Sequence, residues 1–553
     1  MKTLFDPDTI EHAYSKLGSM AIVGHTTTSS CKIWVRAYRK GPWRIVLSEA
    51  PFTGDLARLG EMGVLEYFAS VNAEVIVSPT IEINESTDLT ATFSMSGLKE
   101  NTRYYYALIS DIANEALVPR RTELGSQNKY YFRTLPANPE KLVFGYYSCN
   151  DPFSQRPHSE AAWPYFYQVL KDKNAAFCIG GGDQIYVDTN KKQDMYSITD
   201  WLAKYKNDII EEYTRDGQLD EDGVVALFVK KYRMYYRLYW NFPSLQQVFQ
   251  HFPQYMTWDD HEILDGWGSY TKAERQELLS RLLQSDDEET NGRLIELLFQ
   301  AAKQVFFEYQ HAHNPDTQVH LREAENSACV WDYGYTVGQA AVYVLDVRGH
   351  HDYERAEEQG NALLGDAQMQ RLQTWLERDE VKQAKAVFIA TAVPVVHWGK
   401  LMMKGEFLKS ARDDLRDEWE HESNHKERNK MLDMVMQFSQ QQGSTVTFLS
   451  GDVHCASVYR ISSKHYLHAR VFNATSSGIS RKPNKQYTEA LMAKDGKMTG
   501  SDHYKITCLN NFAGKHNFMT VTTDFFGQET EINVDLHWPS DDDDITSRRT
   551  RLE

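Results

Sequence analysis

The chain has 553 residues, 41% hydrophobic and 25% charged, the balance of a soluble globular protein and more chain than one ordinary core encloses. Its 60 Lys and Arg against 77 Asp and Glu leave a formal net charge of −17, a field that repels long polyanions and counts against a dedicated nucleic-acid or anionic-membrane surface. The opening MKTLFDPDTIEHAYSKLGSM holds no apolar run, and the six cysteines are scattered with no CxxC. Neither a secretory leader, a membrane span nor a disulfide framework is therefore expected, and the expected location is the cytoplasm.

From about residue 20 to 135 short alternating segments recur: CKIWVRA at 31–37, RIVLSEA at 44–50, ATFSMSGL at 91–98, TRYYYALIS at 102–110 and KYYFRTL at 129–135. Polar or glycine-containing turns separate them, which predicts a small antiparallel sandwich. LPANPEK at 135–141 reads as a linker, because its prolines disfavour helix and hold the chain extended. The predicted division is a β domain over 1–136, a larger domain over 137–540 and an acidic tail over 541–553.

After the linker the pattern changes. KLVFGYY at 141–147, AAFCIGG at 175–181, QAAVYVLD at 339–346, KAVFIATAV at 385–393 and VTFLSGD at 446–452 are near-continuous apolar runs. Such runs suit strands buried on both faces. GDAQMQRLQTWLER at 365–378 sets Met369, Leu372 and Leu376 on one helical stripe. Residues 190–250 and 270–312 are polar, aromatic and helical in pattern, and read as insertions placed to roof a site. The predicted class is therefore α/β (α+β), with an all-β domain in front.

Five short sequences each set a metal-capable or phosphate-capable residue directly after an apolar strand. Residues at the carboxyl ends of neighbouring strands converge in space, so this placement matters more than any one of them. FGYYSCN ends on Cys149 and Asn150; alone it reads as well as a buried structural cysteine. CIGGGDQIYVD places Asp183 and Tyr186 three apart after a glycine-rich turn, which would also suit an N-cap or a nucleotide site. TWDDHEILDGWGS puts Asp259, Asp260, His261 and Glu262 in a row; four adjacent ionisable groups between apolar neighbours are costly to hold together without a cation. YVLDVRGHHDY carries Asp346 and Arg348, and Arg348 would either fork onto phosphate oxygens or pair with Asp346. TFLSGDVHCASV carries Asp452 and His454 two apart, a spacing that points both side chains the same way on an extended segment.

In this order the five resemble the alkaline phosphatase D (PhoD-like) metallophosphoesterase family. VGHTTTSSCKIWVRA and FRTLP resemble its N-terminal β domain; SCN, GGDQIYVD, WDDHE, LDVR, LGDAQMQRLQTWL, SGDVH and TSSGIS resemble successive landmarks of its catalytic domain. The resemblance implies a two-sheet core of the calcineurin-like type, shared with purple acid phosphatases. It also implies a ligand set: Cys149, Tyr186 and His454 on a first metal, Asp183 bridging, and Asp260 and Asp452 on a second. Thiolate and phenolate together suit Fe(III) at the first site, and an all-oxygen set suits Ca²⁺, Mg²⁺ or Mn²⁺ at the second. His261 is then placed to protonate the leaving oxygen with Glu262 orienting its ring, and Arg348 to stabilise phosphate charge. His397, in TAVPVVHWG, stays outside the ligand set. The expected reaction is hydrolysis of a phosphate mono- or diester by water activated between two metals, on a small substrate. The alternatives are a non-catalytic scaffold or binding protein, against which the complete ligand set argues, and a nuclease, against which the net charge argues.

Overall fold

The computed structural model describes residues 19–553 apart from 53–65, 67–73, 111–115, 118–129, 156–158, 190–196, 284–286, 322–328, 353–361, 404–414, 528 and 543. The opening segment and the first residue of KYYFRTL lie outside the described residues.

Strand alternation divides the first region between two cores. Met20–Thr26, Ser30–Arg36 and Thr90–Ser96 form a three-stranded antiparallel sheet, and a second sheet is built on Gly41–Ser48 and Arg103–Ser110. Cys31, Ile33 and Val35 point to the core shared with Ile45, Leu47, Tyr104 and Phe132. The opposite face carries Ile22 and Trp34, which join a core made with the helices of the following region. The Trp34 indole donates to the carbonyl of Glu308 at 2.7 Å. The buried ring so finds its one acceptor, and the sheet is fixed against a helix.

The remaining chain builds two further sheets. One has six strands in the order Gln254–Thr257, Phe177–Gly181, Lys141–Tyr147, Phe518–Phe526, Glu529–Pro539 and Ile545–Leu552. The first three are mutually parallel, and the last three run antiparallel to their neighbours. The other has eight strands, of which Ala340–Val344, Ala386–Ala390, Thr445–Ser450 and Arg470–Ser476 are parallel. Phe144, Phe177, Val342, Phe388, Leu449 and Val521 contribute to one core between these sheets, which is why the predicted runs are apolar throughout. The helix Gly365–Leu376 buries Met369, Leu372, Trp375 and Leu376 against the outer side of the eight-stranded sheet.

The acidic tail is a correction. Ile545–Leu552 is a strand paired along its length with Glu529–Pro539, and Leu552 is buried. Only the Asp run just before it has tail-like composition. Helices occupy the expected insertions: Ile198–Tyr213, Glu221–Tyr239, Pro243–His251, Lys272–Leu283 and Glu288–Tyr309. Asp220 and Asp287 cap two of them by accepting from the amides of Gly223 and Thr290, both at 3.1 Å. Their rings pack around Trp240, with Tyr236 and Tyr309 stacked at 4.6 Å. Two of their hydroxyls brace turns at the ends of parallel strands: Tyr239 donates to the carbonyl of Tyr186 at 2.9 Å and Tyr232 to that of Ile263 at 2.7 Å. Among the described residues no helix is long and apolar enough to cross a membrane. None of the six cysteines is in a disulfide.

Candidate metal centre

The carboxyl ends of the parallel strands in both sheets open onto one place. Lys141–Tyr147 leads to Cys149, Phe177–Gly181 to Asp183, Gln254–Thr257 to Asp259 and Asp260, and Thr445–Ser450 to Asp452 and His454. Close packing of these turns sets the glycine requirement. A Cβ on Gly182, whose φ is +96°, would lie 2.7 Å from Cβ of Asp259. A Cβ on Gly451 would lie 2.2 Å from Oγ of Ser148. The backbone is left-handed at Cys149, Asp183, Asp452 and His454, with φ of +57°, +56°, +63° and +50°. Side chains rarely adopt that conformation, and its recurrence at four converging positions is the strain that functional sites hold.

Ligand atoms of Cys149, Asp183 and His454 lie within 4.8 Å of one another, as do those of Asp183, Asp260 and His261, and those of Asp183, Asp259 and Asp452. Asp183 is common to all three groups. The Tyr186 hydroxyl donates to Oδ2 of Asp183 at 2.7 Å and lies 3.3 Å from Nε2 of His454. The Cys149 thiol lies 3.4 Å from the same carboxylate and 3.0 Å from Oγ of Ser477. Oδ1 of Asp183 and Oδ2 of Asp259 are buried and make no hydrogen bond. Two orphaned carboxylate oxygens beside a thiol, a phenol and an imidazole are costly unless a cation takes them up, so the residues present fit bound metal.

The electrostatics say the same. Burial, then the charges of Asp183 and Asp452, push the Cys149 thiol well above its ordinary value. Burial, then Asp183 and Cys149, do so for the Tyr186 phenol. Burial raises Asp183 well above the carboxylate range, with His261 opposing and Asp259 and Asp260 adding. His454 is held well below its usual value by burial and by Arg481, so the ring presents a free lone pair. His261 goes the other way. Burial alone would lower it, but Asp188, Asp260 and Asp183 hold it well above the usual value.

All six predicted ligands converge. His261 lies beside them, its ring centroid 4.1 Å from that of Tyr186. Its orienting partner is Asp188, whose Oδ1 accepts from Nδ1 at 2.8 Å. Glu262, expected in that role, is committed elsewhere: it accepts from the amides of Asp183, Gln184 and Asp259 and so fixes the turns that carry Asp183 and Asp259. Asp259, not Asp260, shares a group with Asp452. Arg348 is 1% exposed, and its guanidinium is bound by Asp259, by Asp417 at 2.5 Å and by the Trp267 carbonyl, with Asp260 at 3.7 Å. That fork faces carboxylates from behind the site. Asp346, the other candidate partner, instead accepts from the Trp258 indole and the amides of Arg348 and Gly349. His397 is buried between Oγ of Ser457 at 2.8 Å and Sγ of Cys455 at 3.1 Å, apart from the ligand groups. Residues the sequence did not single out are Asp188 and Ser477, which lie within GGDQIYVD and TSSGIS, and Asp417 and Arg481. The Arg481 guanidinium lies 4.6 Å from the Tyr186 ring centroid and pairs with buried Asp151. Asp188 had a signal, being two residues past Tyr186 in GGDQIYVD; Asp417 lies in a stretch without a landmark.

A mixed α/β fold here gathers carboxylates, an imidazole, a phenol and a thiol around one shared aspartate at its strand ends, a donor set suited to metal ions. The chain belongs to the PhoD-like phosphatase family, whose model matches residues 144–522. The solved structure of PhoD is similar, with a TM-score of 0.62 at 16% identity, covering 99% of this chain and 91% of that one. A purple acid phosphatase from yellow lupin (Lupinus luteus) seeds superposes with a TM-score of 0.48 at 9% identity, covering 96% of this chain and 74% of that one. A protein of Saccharomyces cerevisiae described as uncharacterized is 24% identical over 446 residues, covering 70% of this chain and 60% of that relative's length. The match thus spans less than two thirds of that relative.

Proposed function

We propose that the protein hydrolyses small phosphate mono- or diesters at a two-metal centre. Cys149, Asp183, Tyr186 and His454 would hold Fe(III), and Asp183, Asp260 and Asp452, with Asp259 beside Asp452, would hold a hard divalent cation, Ca²⁺ before Mg²⁺ or Mn²⁺. The observation that carries this reading is the sharing of Asp183 among three donor groups while one of its oxygens stays unbonded. The pair of sheets around Phe144, Phe388 and Leu449 supports a calcineurin-like core from 137 onward that takes in Ile545–Leu552, and the two smaller sheets support a β-sandwich in the region before 136.

When bound, two such cations neutralise phosphate oxygens and supply hydroxide near neutral pH. The chain's own residues do the rest. His261 would give a proton to a departing alkoxide, and the contact of its Nδ1 with Asp188 fixes which nitrogen faces the site. Glu262 holds the Asp183 and Asp259 turns in register through three backbone amides. Arg348 keeps Asp259 ionised and aimed, with one oxygen engaged and the other presented. Arg481 braces the face of Tyr186.

The test is elemental analysis of the purified protein together with hydrolysis of 4-nitrophenyl phosphate and bis(4-nitrophenyl) phosphate before and after chelation. Two metal equivalents and chelator-sensitive release of nitrophenol are expected. Metal-free protein that hydrolyses either ester, or metal-loaded protein that hydrolyses neither, overturns the proposal.

A further inference from the structure

Resting on that reading, we infer that the substrate carries a second anionic group apart from the scissile ester, and that Lys482 and Lys485 bind it. An open cavity of about 370 Å³ begins at His454 and is lined by Arg481, Lys482, Asn484, Lys485 and Tyr487. In a chain of net charge −17, its lining includes three cationic side chains and no carboxylate. A pocket so marked out from the rest of the surface concentrates anions at the mouth of the site.

The loop bearing these residues is bolted to the metal-ligand turns. The Arg481 amide donates to the carbonyl of Cys149 at 3.0 Å and the Asn484 amide to that of His454 at 3.1 Å. The Asn484 side chain donates to the Val453 carbonyl at 2.7 Å, and the Lys482 amide to Oγ of Ser154 at 2.8 Å. The cationic side chains therefore spring from a backbone that is fixed relative to His454.

Their charges are not equally available. Arg481 is committed to Asp151 and to the Tyr186 ring. Lys482 and Lys485 are exposed, and among the described residues neither has a carboxylate partner. Lysines elsewhere do, as Lys32 with Asp316, Lys99 with Glu49 and Lys173 with Asp535. Two uncommitted ammonium groups beside a phosphate-handling centre take a phosphate or a carboxylate as point charges. Tyr487, 69% exposed and 5.9 Å from the Lys485 ammonium, offers a ring face to the stem joining the substrate's two anionic ends.

The experiment compares three esters of equal chain length, hexyl phosphate, hexane-1,6-diyl bisphosphate and 6-(phosphonooxy)hexanoate, by release of inorganic phosphate. For the metal-loaded wild type, kcat/KM for the bisphosphate should exceed that for hexyl phosphate by about tenfold or more beyond the twofold from having two scissile ends, the worth of one charge-assisted contact. The gain should lie in KM. The carboxylate ester decides the source: a gain matching the bisphosphate's assigns the pocket to any anion, and a smaller one to phosphate. Lys482→Ala/Lys485→Ala, with unchanged metal content as the check on folding, should bring the ratio to about two. Raising salt from about 50 to about 300 mM should move it the same way. A wild-type ratio near two, or a preference that survives in the double variant, overturns the inference and leaves the phosphoesterase reading standing. Release from none of the three esters overturns both.

Discussion

Replacing Arg348 by Met keeps the stem and removes the charge. Asp259, Asp260 and Asp417 then share a buried space with no guanidinium among them. Breaking a buried ion pair by deleting one partner costs about 3–5 kcal/mol, because the other is left uncompensated. At about 2.1 cal/mol/K of unfolding entropy per residue, a chain of this length has about 1.2 kcal/mol/K in all, so the midpoint should fall by about 3–4 °C. The loss depends on pH. Burial pushes Asp259 up to about 6, with Arg348 opposing. A carboxyl raised above its unfolded value of 3.8 contributes stability that is complete below pH 3.8 and is lost as pH rises through its folded value. Without the guanidinium that folded value moves higher, so the window of loss extends upward. The gap between variant and wild type should therefore be small at pH 5 and full at pH 8. The assay is calorimetry of chelated protein at both pH values, with Michaelis constants for 4-nitrophenyl phosphate on metal-loaded samples. If Arg348 instead grips phosphate, the midpoint stays within about 1 °C while KM rises on the order of tenfold, and the argument from its three carboxylates fails.

Iron-loaded protein should absorb visible light through charge transfer from Tyr186 and Cys149, and Tyr186→Phe should shift or remove the band; a colourless, fully active zinc enzyme would refute the iron assignment. Asp260→Ala should lose the divalent cation before the iron, and elemental analysis showing both retained at wild-type levels would remove Asp260 from the ligand set. His261→Asn should keep both metals but slow an alkyl ester by on the order of 100- to 10,000-fold, and a nitrophenyl ester less, because nitrophenolate leaves without a proton; equal losses on both would place His261 away from the leaving group. Burial, then Lys32, lowers His313 from 6.5 to about 3. A depressed histidine contributes stability that is complete above pH 6.5 and lost as pH falls toward 3, so His313→Leu should lessen the drop in urea midpoint between pH 7 and pH 5; an unaltered drop would mean His313 is not the group that titrates.

The site was legible in unequal parts. Cys149, Asp183, Tyr186, Asp452 and His454 each come after a run of apolar residues. A strand buried on both faces ends at the sheet's edge, so the residues beyond its end face the opening. Glu262 and Arg348 obeyed the same rule and are nevertheless committed to backbone amides and to buried carboxylates. Position after a strand says that a side chain is near the centre, but not which way its atoms point. The C-terminal strands were less visible. FMTVTTDFF at 518–526 is threonine-rich, so the hydropathy contrast between its two faces is weak, although seven of its nine residues are buried.

Residue order alone marks the buried strands and the side chains that stand at their ends, because apolar periodicity records burial and burial is local to each element. How those ends share a centre is a matter of long-range packing: Asp183 in three donor groups, Asp259 beside Asp452, and Asp188 on His261 across 73 residues of chain. Packing likewise puts Arg348 behind the carboxylates, held by Asp417, and makes the last strand close a sheet edge. These pairings join segments far apart in the chain, and no periodicity within either segment encodes the partner it meets. The partner is set by how the sheets pack and where burial leaves a charge to be satisfied.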